Sequence, residues 1–418
     1  MTTPGAATPA LEPTPLADYV AGVLRSVRPL PPEDLDLADA YGRVLAEDAC
    51  ALTPLPAYDH AGTDGYAARW QDLVDAAPHR PVKLDVLGDL GPSSSRPARV
   101  EPGMCYSVAA GAPLPAAADV VISPGATDQG AATVEVGRRP RRAQGVRRAG
   151  EEIRRGTILA RAGKRLSPGL IAVLAATGIG RVRVRPRPRV AIIAIGDELV
   201  RAGRVSRPGQ VVDANSHALA AAAIEADAIP HRVGICPDDP VAVDAALDDQ
   251  LGRVDLIVTT GGTGTGPRDL LRRVLRSVRF TEMSLFPCRV VGYGTRHSGP
   301  VRGEEVPVIC LPGDPGAAMV GFEALVRPVI GQLAGGEPFR RSVRAHLLDT
   351  VTSPAGLREF RPARVSERRG GGYTARPLPG GPYSLSGLGA GNGLIVFGEK
   401  VTTCPAGSMV DVLLLDRR

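Results

Sequence analysis

Lysine is nearly absent from this chain of 418 residues: only Lys83, Lys164 and Lys400 occur, and the rest of the basic charge is arginine. Together with the abundance of Ala, Gly and Pro, that points to the coding bias of a GC-rich bacterial genome. Aromatic residues are also scarce, at 4% with a single tryptophan. A net charge of +6 without a basic stripe interleaved with aromatics suits a small anionic ligand better than nucleic acid. The six cysteines (50, 105, 236, 288, 310 and 404) show no CxxC spacing. This argues against a zinc site or a disulfide framework and for reduced thiols in a cytoplasm. No apolar run approaches the length of a membrane span, so no membrane partner is expected. The opening MTTPGAATPALEPTP lacks the regions of a signal peptide and reads as a flexible tail.

What is present is length and alternation. The chain is too long for one core, which predicts three or four domains, and 44% hydrophobic residues suffice to fill them. Apolar spacing predicts a helix over 15–28, stopped by Pro29, Pro31 and Pro32, and a second helix over Pro32–Asp48. From Arg69 to about Val136 the pattern changes to short strands between Gly/Pro turns, a small β domain inserted into the helical start. The arginine run RRPRRAQGVRR (138–148) reads as a solvated edge or loop rather than a binding patch. Residues 150–186 return to helix and turn, with Ser167 as N-cap and Pro168 at the first helical position, and should pack back against the early helices. Strands alternating with helices over 189–331 predict a parallel sheet with ligands at its carboxyl edge. Residues 339–418, with short strands and many glycines, suggest a small barrel or sandwich. The fold class is therefore multidomain α/β.

The stretch Val254–Leu275, VDLIVTTGGTGTGPRDLLRRVL, concentrates the functional signal. It reads as a strand (Leu256–Thr260), a glycine turn (Gly261–Gly266) and a helix from near Pro267, an arrangement that aims N–H groups and a helix dipole at an anion. Asp269 in the first turn could hold a cation beside that anion. Further polar residues fall at neighbouring strand ends: Asp197 and Glu198 in GDEL, Asp213 and Asn215 in DAN, Asp238 and Asp239 in CPDDP, and Asp314 in LPGDP. Any one Asp at a helix start can be an ordinary cap. Their collection on one edge matches a phosphorylated ligand bridged by a divalent cation. The histidines (60, 79, 217, 231, 297 and 346) are dispersed, and no nucleophile motif appears; His60, in a polar loop, is the one to follow. Catalysis by positioning and electrostatics fits this inventory.

The motifs AYGRVLAED, YDHAGTDGYA, AGAPLPAAADVV, GEEIRRGTIL, GKRLSPGLIAVLAATGI, RVAIIAIGDEL, the double-glycine loop, LPGDPGAAM and NGLIVF…PAGSMVDVLLL follow one another along the chain. In that order they resemble the MoeA-type molybdopterin molybdenumtransferases, related to the C-terminal part of gephyrin. The resemblance implies a four-domain architecture: a helical linker and dimerisation domain (1–52 and 145–180), an inserted β domain (53–144), a central MogA-like α/β molybdopterin-binding domain (181–333) and a C-terminal β barrel (334–418). It implies a homodimer that transfers molybdate into adenylylated molybdopterin, with AMP release and help from Mg²⁺. By motif position, Asp64, Glu198, Asp239 and Asp269 would be catalytic, and Asp64, Glu198 and Asp269 would hold the metal. Thr260, Gly261, Gly262, Thr263, Gly264, Arg289, Gly313, Asp314 and Pro315 would bind the pterin nucleotide. The chain departs from the family pattern at Thr63, at Ala110, at Pro267 (in place of an acid), at Tyr293 (in place of a lysine) and at Asp314. Two alternatives stay open: recruitment to another adenylylated or phosphorylated substrate, or non-catalytic pterin or nucleotide binding.

Overall fold

Apolar runs that need burial on both faces build the central sheet of the protein. In the computed structural model, which describes residues 13–94, 98–264, 270–297 and 305–415, six strands form this sheet. They are β1 (Arg189–Ile195), β2 (Ile229–Cys236), β3 (Leu256–Thr260), β4 (Val278–Glu282), β5 (Val290–His297) and β6 (Glu305–Leu311), in the order β2-β1-β3-β6-β5-β4. The first four strands in that order are mutually parallel, as the strand–helix alternation predicts. Successive side chains of β1 and β3 enter two separate cores: Val190, Ile192 and Val258 on one face, Ala191, Ile193 and Ile257 on the other.

The last two strands depart from expectation, because β5 runs antiparallel to both β6 and β4. Their glycines and arginines hide the strand signal, yet the glycines are required by the pairing. A Cβ on Gly294 would stand 2.1 Å from the Ser277 carbonyl oxygen, and one on Gly292 would meet the Phe280 ring at 2.8 Å. Among the helices on the sheet is Leu16–Ser26, whose Leu16, Val20 and Val23 are buried in the same core as Val190. Each such side chain contributes about 1.5–3 kcal/mol by leaving water.

Downstream, Pro315–Gly321 continues through a π-helical turn, Phe322–Val326, into Arg327–Leu333. The turn carries Glu323, which is buried and accepts hydrogen bonds from Arg327 and Arg340, each at 2.7 Å. Arg340 also reaches Glu225 at 2.8 Å and donates to the carbonyls of Leu414 and Leu415. The C-terminal strands close into a five-stranded barrel: Arg358–Glu367, Tyr373–Pro377, Ser342–Leu347, Met409–Leu414 and Gly393–Phe397, the last pairing back to the first. Ala345, Leu347, Val365, Ala375, Ile395, Phe397 and Val412 fill it. Of the alternatives barrel and sandwich, the barrel is the one formed.

All of these elements belong to one compact unit, Met1–Glu33 with Arg185–Arg418; Asp34–Val184 forms a second. In the second, five strands pair in the order Val120–Ile122, Gly65–Ala68, Met104–Val108, Val82–Leu90 and Thr133–Val136, the β insertion read from the turns. The expected helix over Pro32–Asp48 is not formed. Glu33–Asp36 is a strand with alternating burial, Leu37–Asp39 a 3₁₀ turn, and Val44–Leu45 a short strand. Gly42 sits at φ +76°, a left-handed conformation that ends any helix there. The segment after the insertion does return to the early one, as strands: Arg181–Arg185 lies between Glu33–Asp36 and Val44–Leu45, and Ile158–Ala160 pairs with Ala49–Cys50. The expected cap holds, Ser167 accepting from Leu170 N–H at the start of Pro168–Ala176. In the arginine run, Arg139 and Arg142 lie over the Trp70 ring at 4.7 and 4.8 Å, and Arg147 and Arg148 pair with Glu151 and Asp59.

Candidate functional site

Four parallel strands end at one cleft of about 850 Å³ in the larger unit. The end of β1 supplies Ile195, Gly196, Asp197 and Glu198; that of β2 supplies Asp238; that of β3 supplies Gly261, Gly262, Thr263 and Gly264; that of β6 supplies Pro312 and Gly313; Gly209 completes the lining. This is the carboxyl edge of an open α/β sheet, where ligands of such folds bind.

The glycines are there because backbone packs on backbone. Gly261 has φ +100°, and a Cβ on it would lie 2.2 Å from the Ile195 carbonyl oxygen. Its N–H donates to Leu311 O at 3.1 Å, and a Cβ on Gly313 would stand 3.4 Å from Gly261 Cα. The β3 and β6 loops are thus in van der Waals contact. Gly261→Ala is expected to lower stability by about 1–3 kcal/mol and to deform the cleft; urea denaturation checks it, and unchanged stability would refute the close packing.

Glu198 folds back over the strand end, so that a Cβ built on Gly196 would meet its carboxylate at 2.6 Å. Asp197 and Asp238 clasp each other: Asp238 N–H donates to Asp197 Oδ1 at 3.0 Å and Asp197 N–H donates to Asp238 Oδ2 at 3.3 Å. That reciprocal bond fixes the ends of β1 and β2 relative to each other. Burial, followed by the nearby Asp238 and Asp239 charges, pushes the Cys236 thiol up, so it stays protonated and is no thiolate nucleophile.

Glu198, Gly261, Gly262, Thr263, Gly264 and Gly313 come together in the cleft. Thr260 lies beneath it, buried, donating to Pro312 O at 2.9 Å. Asp239 and Asp314 do not line it. Each caps a helix, accepting from Ala242 N–H at 2.8 Å and Ala317 N–H at 2.9 Å, and Pro315 takes the first helical position after Asp314. Arg289 is also outside the lining and pairs with Glu282. Asp213 is buried and accepts from Ser216 N–H at 2.9 Å in the first turn of Asn215–Glu225. Asp269 and Pro267 lie outside the described residues. The helix described after the glycine loop is Leu271–Val274, and the expected start near Pro267 lies outside the described residues. In the other unit, Asp64 accepts from Ala110 N–H at 2.7 Å, and His60 Nδ1 sits 2.9 Å from Ala61 O. Tyr293 hydrogen-bonds Ser26 at 2.6 Å. Among the described residues no group of three or more His, Cys, Asp or Glu could hold a metal alone. Motif position assigned neither the cleft carboxylates Asp197 and Asp238 nor Asn215, which bonds Thr260 and Gly313. Only the polar strand-end pattern signals them, because their bonding partners are distant in sequence.

Three family models match the chain: MoeA N-terminal region (domain I and II) over residues 14–178, "Probable molybdopterin binding domain" over 191–332, and MoeA C-terminal region (domain IV) over 344–415. Molybdopterin molybdenumtransferase 1 of Mycobacterium tuberculosis is 34% identical over 403 residues, covering 91% of this chain and 93% of that protein. The molybdopterin molybdenumtransferase of Bacillus subtilis is 28% identical, covering 96% and 94%. A crystal structure of a molybdopterin biosynthesis MoeA protein from Pyrococcus horikoshii superposes with a TM-score of 0.83 at 27% identity, over 97% of this chain and all of the other.

Proposed function

The chain belongs to the MoeA-type molybdopterin molybdenumtransferase family, and from that premise we propose that its cleft inserts molybdenum from molybdate into molybdopterin. The observation that carries this reading is the convergence of two glycine-bearing strand ends, at Gly261–Gly264 and Pro312–Gly313, with the carboxylate of Glu198 on one rim. Relatives named for this activity match along nearly the whole chain, and nothing favours a recruited substrate or a binding-only role.

The glycine loops leave backbone accessible to an anion without side-chain obstruction, which suits the phosphate end of a pterin ligand. When the two dithiol sulfurs replace one oxo group of molybdate, that oxygen leaves as water with the two thiol protons, so protons must be relayed at the reacting centre. Glu198, in the cleft, is placed to carry them. We read the substrate as the adenylylated form, whose phosphoanhydride bond is broken by water to release AMP and leave the terminal phosphate on the pterin. Mg²⁺ fits the donor set: it commonly takes one or two carboxylates and completes its shell with substrate phosphates and water, and the described cleft offers Asp197, Glu198 and Asp238. Bound there, it would offset phosphate charge. Asp64 and Asp269 enter as metal ligands, and Asp239, Asp314, Pro315 and Arg289 as supporting residues, on motif position. The four-domain boundaries given above, a homodimeric state and a cytoplasmic location complete the reading. Among the described residues, no helix is long and apolar enough to cross a membrane.

Expression of the chain in a bacterial strain lacking its molybdenumtransferase should restore nitrate reductase activity. Absence of rescue at good soluble expression would sink the proposal.

A further inference from the structure

We propose that Asn215 is a positioning residue that sets the spacing of the two glycine loops and so the grip of the cleft on its substrate; this rests on the functional reading above. The carboxamide Nδ2 of Asn215 donates to Thr260 Oγ1 at 2.7 Å and to Gly313 O at 2.8 Å. One side chain therefore ties the end of β3 to the loop after β6, at the point where the loops touch. The polarity of this brace is fixed by its neighbours. Gly313 O can only accept, and Thr260 spends its hydroxyl proton on Pro312 O at 2.9 Å, so Oγ1 must accept as well. Two acceptors demand the NH₂ end of an amide, and a carboxylate of the same shape would set lone pairs against lone pairs.

The amide is held by a firm support. Asn215 begins the helix Asn215–Glu225, whose first turn donates to buried Asp213 and whose Leu219, Ala220, Ala222 and Ala223 are buried on the sheet. A shift of the amide thus moves the loops and not the helix. Both loops line the cleft, so their separation acts on everything bound across them. A looser grip weakens ground state and transition state alike, which raises KM and leaves kcat nearly unchanged.

The test uses the full-length protein with Asn215→Asp and Asn215→Ala. The readouts are kcat and KM for adenylylated molybdopterin in a molybdenum-insertion assay, and amide hydrogen exchange of the ligand-free protein over residues 215–225, 259–264 and 311–316. For Asn215→Asp the expected result is a KM raised about tenfold or more, kcat within about threefold of wild type, and faster exchange in both loops with the helix unchanged. Asn215→Ala, which loses the donors without adding charge, should change the same quantities in the same direction by less. It also carries the test alone if the aspartate variant does not fold. Wild-type KM in a folded variant overturns the proposal, even if the loops exchange faster, and so does a fall in kcat at constant KM. A wild-type protein without insertion activity would instead overturn the functional reading, and the exchange rates would still decide whether Asn215 braces the loops.

Discussion

Replacing Glu198 by Gln is expected to lower kcat/KM for molybdenum insertion by about 10²–10³-fold, the cost of removing one charged group from a reacting centre. The side chain is exposed in the cleft and is held by its fit over Gly196. Its contribution to the fold is made by the backbone, whose carbonyl accepts from Val211 N–H at 2.8 Å and is untouched by the substitution. An exposed isosteric change of this kind alters stability by no more than about 0.5 kcal/mol. Loss of activity with an unchanged thermal transition is therefore the signature to look for. Full activity in Glu198→Gln would remove this carboxylate from the chemistry, and a large stability loss would show that it serves the fold.

The largest stability effect is expected at Glu323. This carboxylate, with a side chain only 3% exposed, lies between Arg327 and Arg340 in the π-helical turn, and Arg340 is shared with Glu225. Two acids and two arginines balance one another in a nearly dry setting. Glu323→Gln leaves an excess buried positive charge, and breaking such a group from one side costs about 3–5 kcal/mol. Because Arg340 also holds the carbonyls of Leu414 and Leu415, the barrel end should loosen with it.

The same site makes the protein acid-sensitive. Burial alone would raise the Glu323 carboxyl, but the hydrogen bonds and charges of Arg340 and Arg327 outweigh it and hold the group below its usual 4.5. A depressed folded-state value means that the stabilisation is complete above 4.5 and is lost as pH falls through the folded-state value. Urea denaturation at neutral pH and again below pH 4.5 should show wild type losing more stability than Glu323→Gln. Equal stability of the two proteins at neutral pH would contradict this account.

How much was legible in the sequence follows the physics of each element. β1, β3 and β6 are largely apolar runs followed by glycine or proline, so both the sheet and its ligand edge could be read from them. β4 and β5 could not, because Gly292 and Gly294 answer to contacts with Phe280 and Ser277, which no local pattern expresses. The false helix over Pro32–Asp48 came from an apolar spacing that Gly42 interrupts. Of the acids at the strand ends, periodicity could not say which would cap and which would face the cleft. Asp239 and Asp314 cap their own helices, three residues upstream of the N–H they accept from, whereas Asp197 and Asp238 join across 41 residues of sequence. Asn215 was visible as a polar residue, but its role depends on acceptors 45 and 98 residues away.

The central claim, that the cleft of β1, β2, β3 and β6 inserts molybdenum, is tested most directly with purified protein. Full-length wild type is incubated with adenylylated molybdopterin, molybdate and Mg²⁺, and the molybdenum cofactor formed is read by reconstitution of cofactor-free nitrate reductase. Wild type should yield cofactor in proportion to the protein added, and Glu198→Gln almost none. A folded wild-type protein that yields no more cofactor than adenylylated molybdopterin, molybdate and Mg²⁺ without protein would contradict the claim.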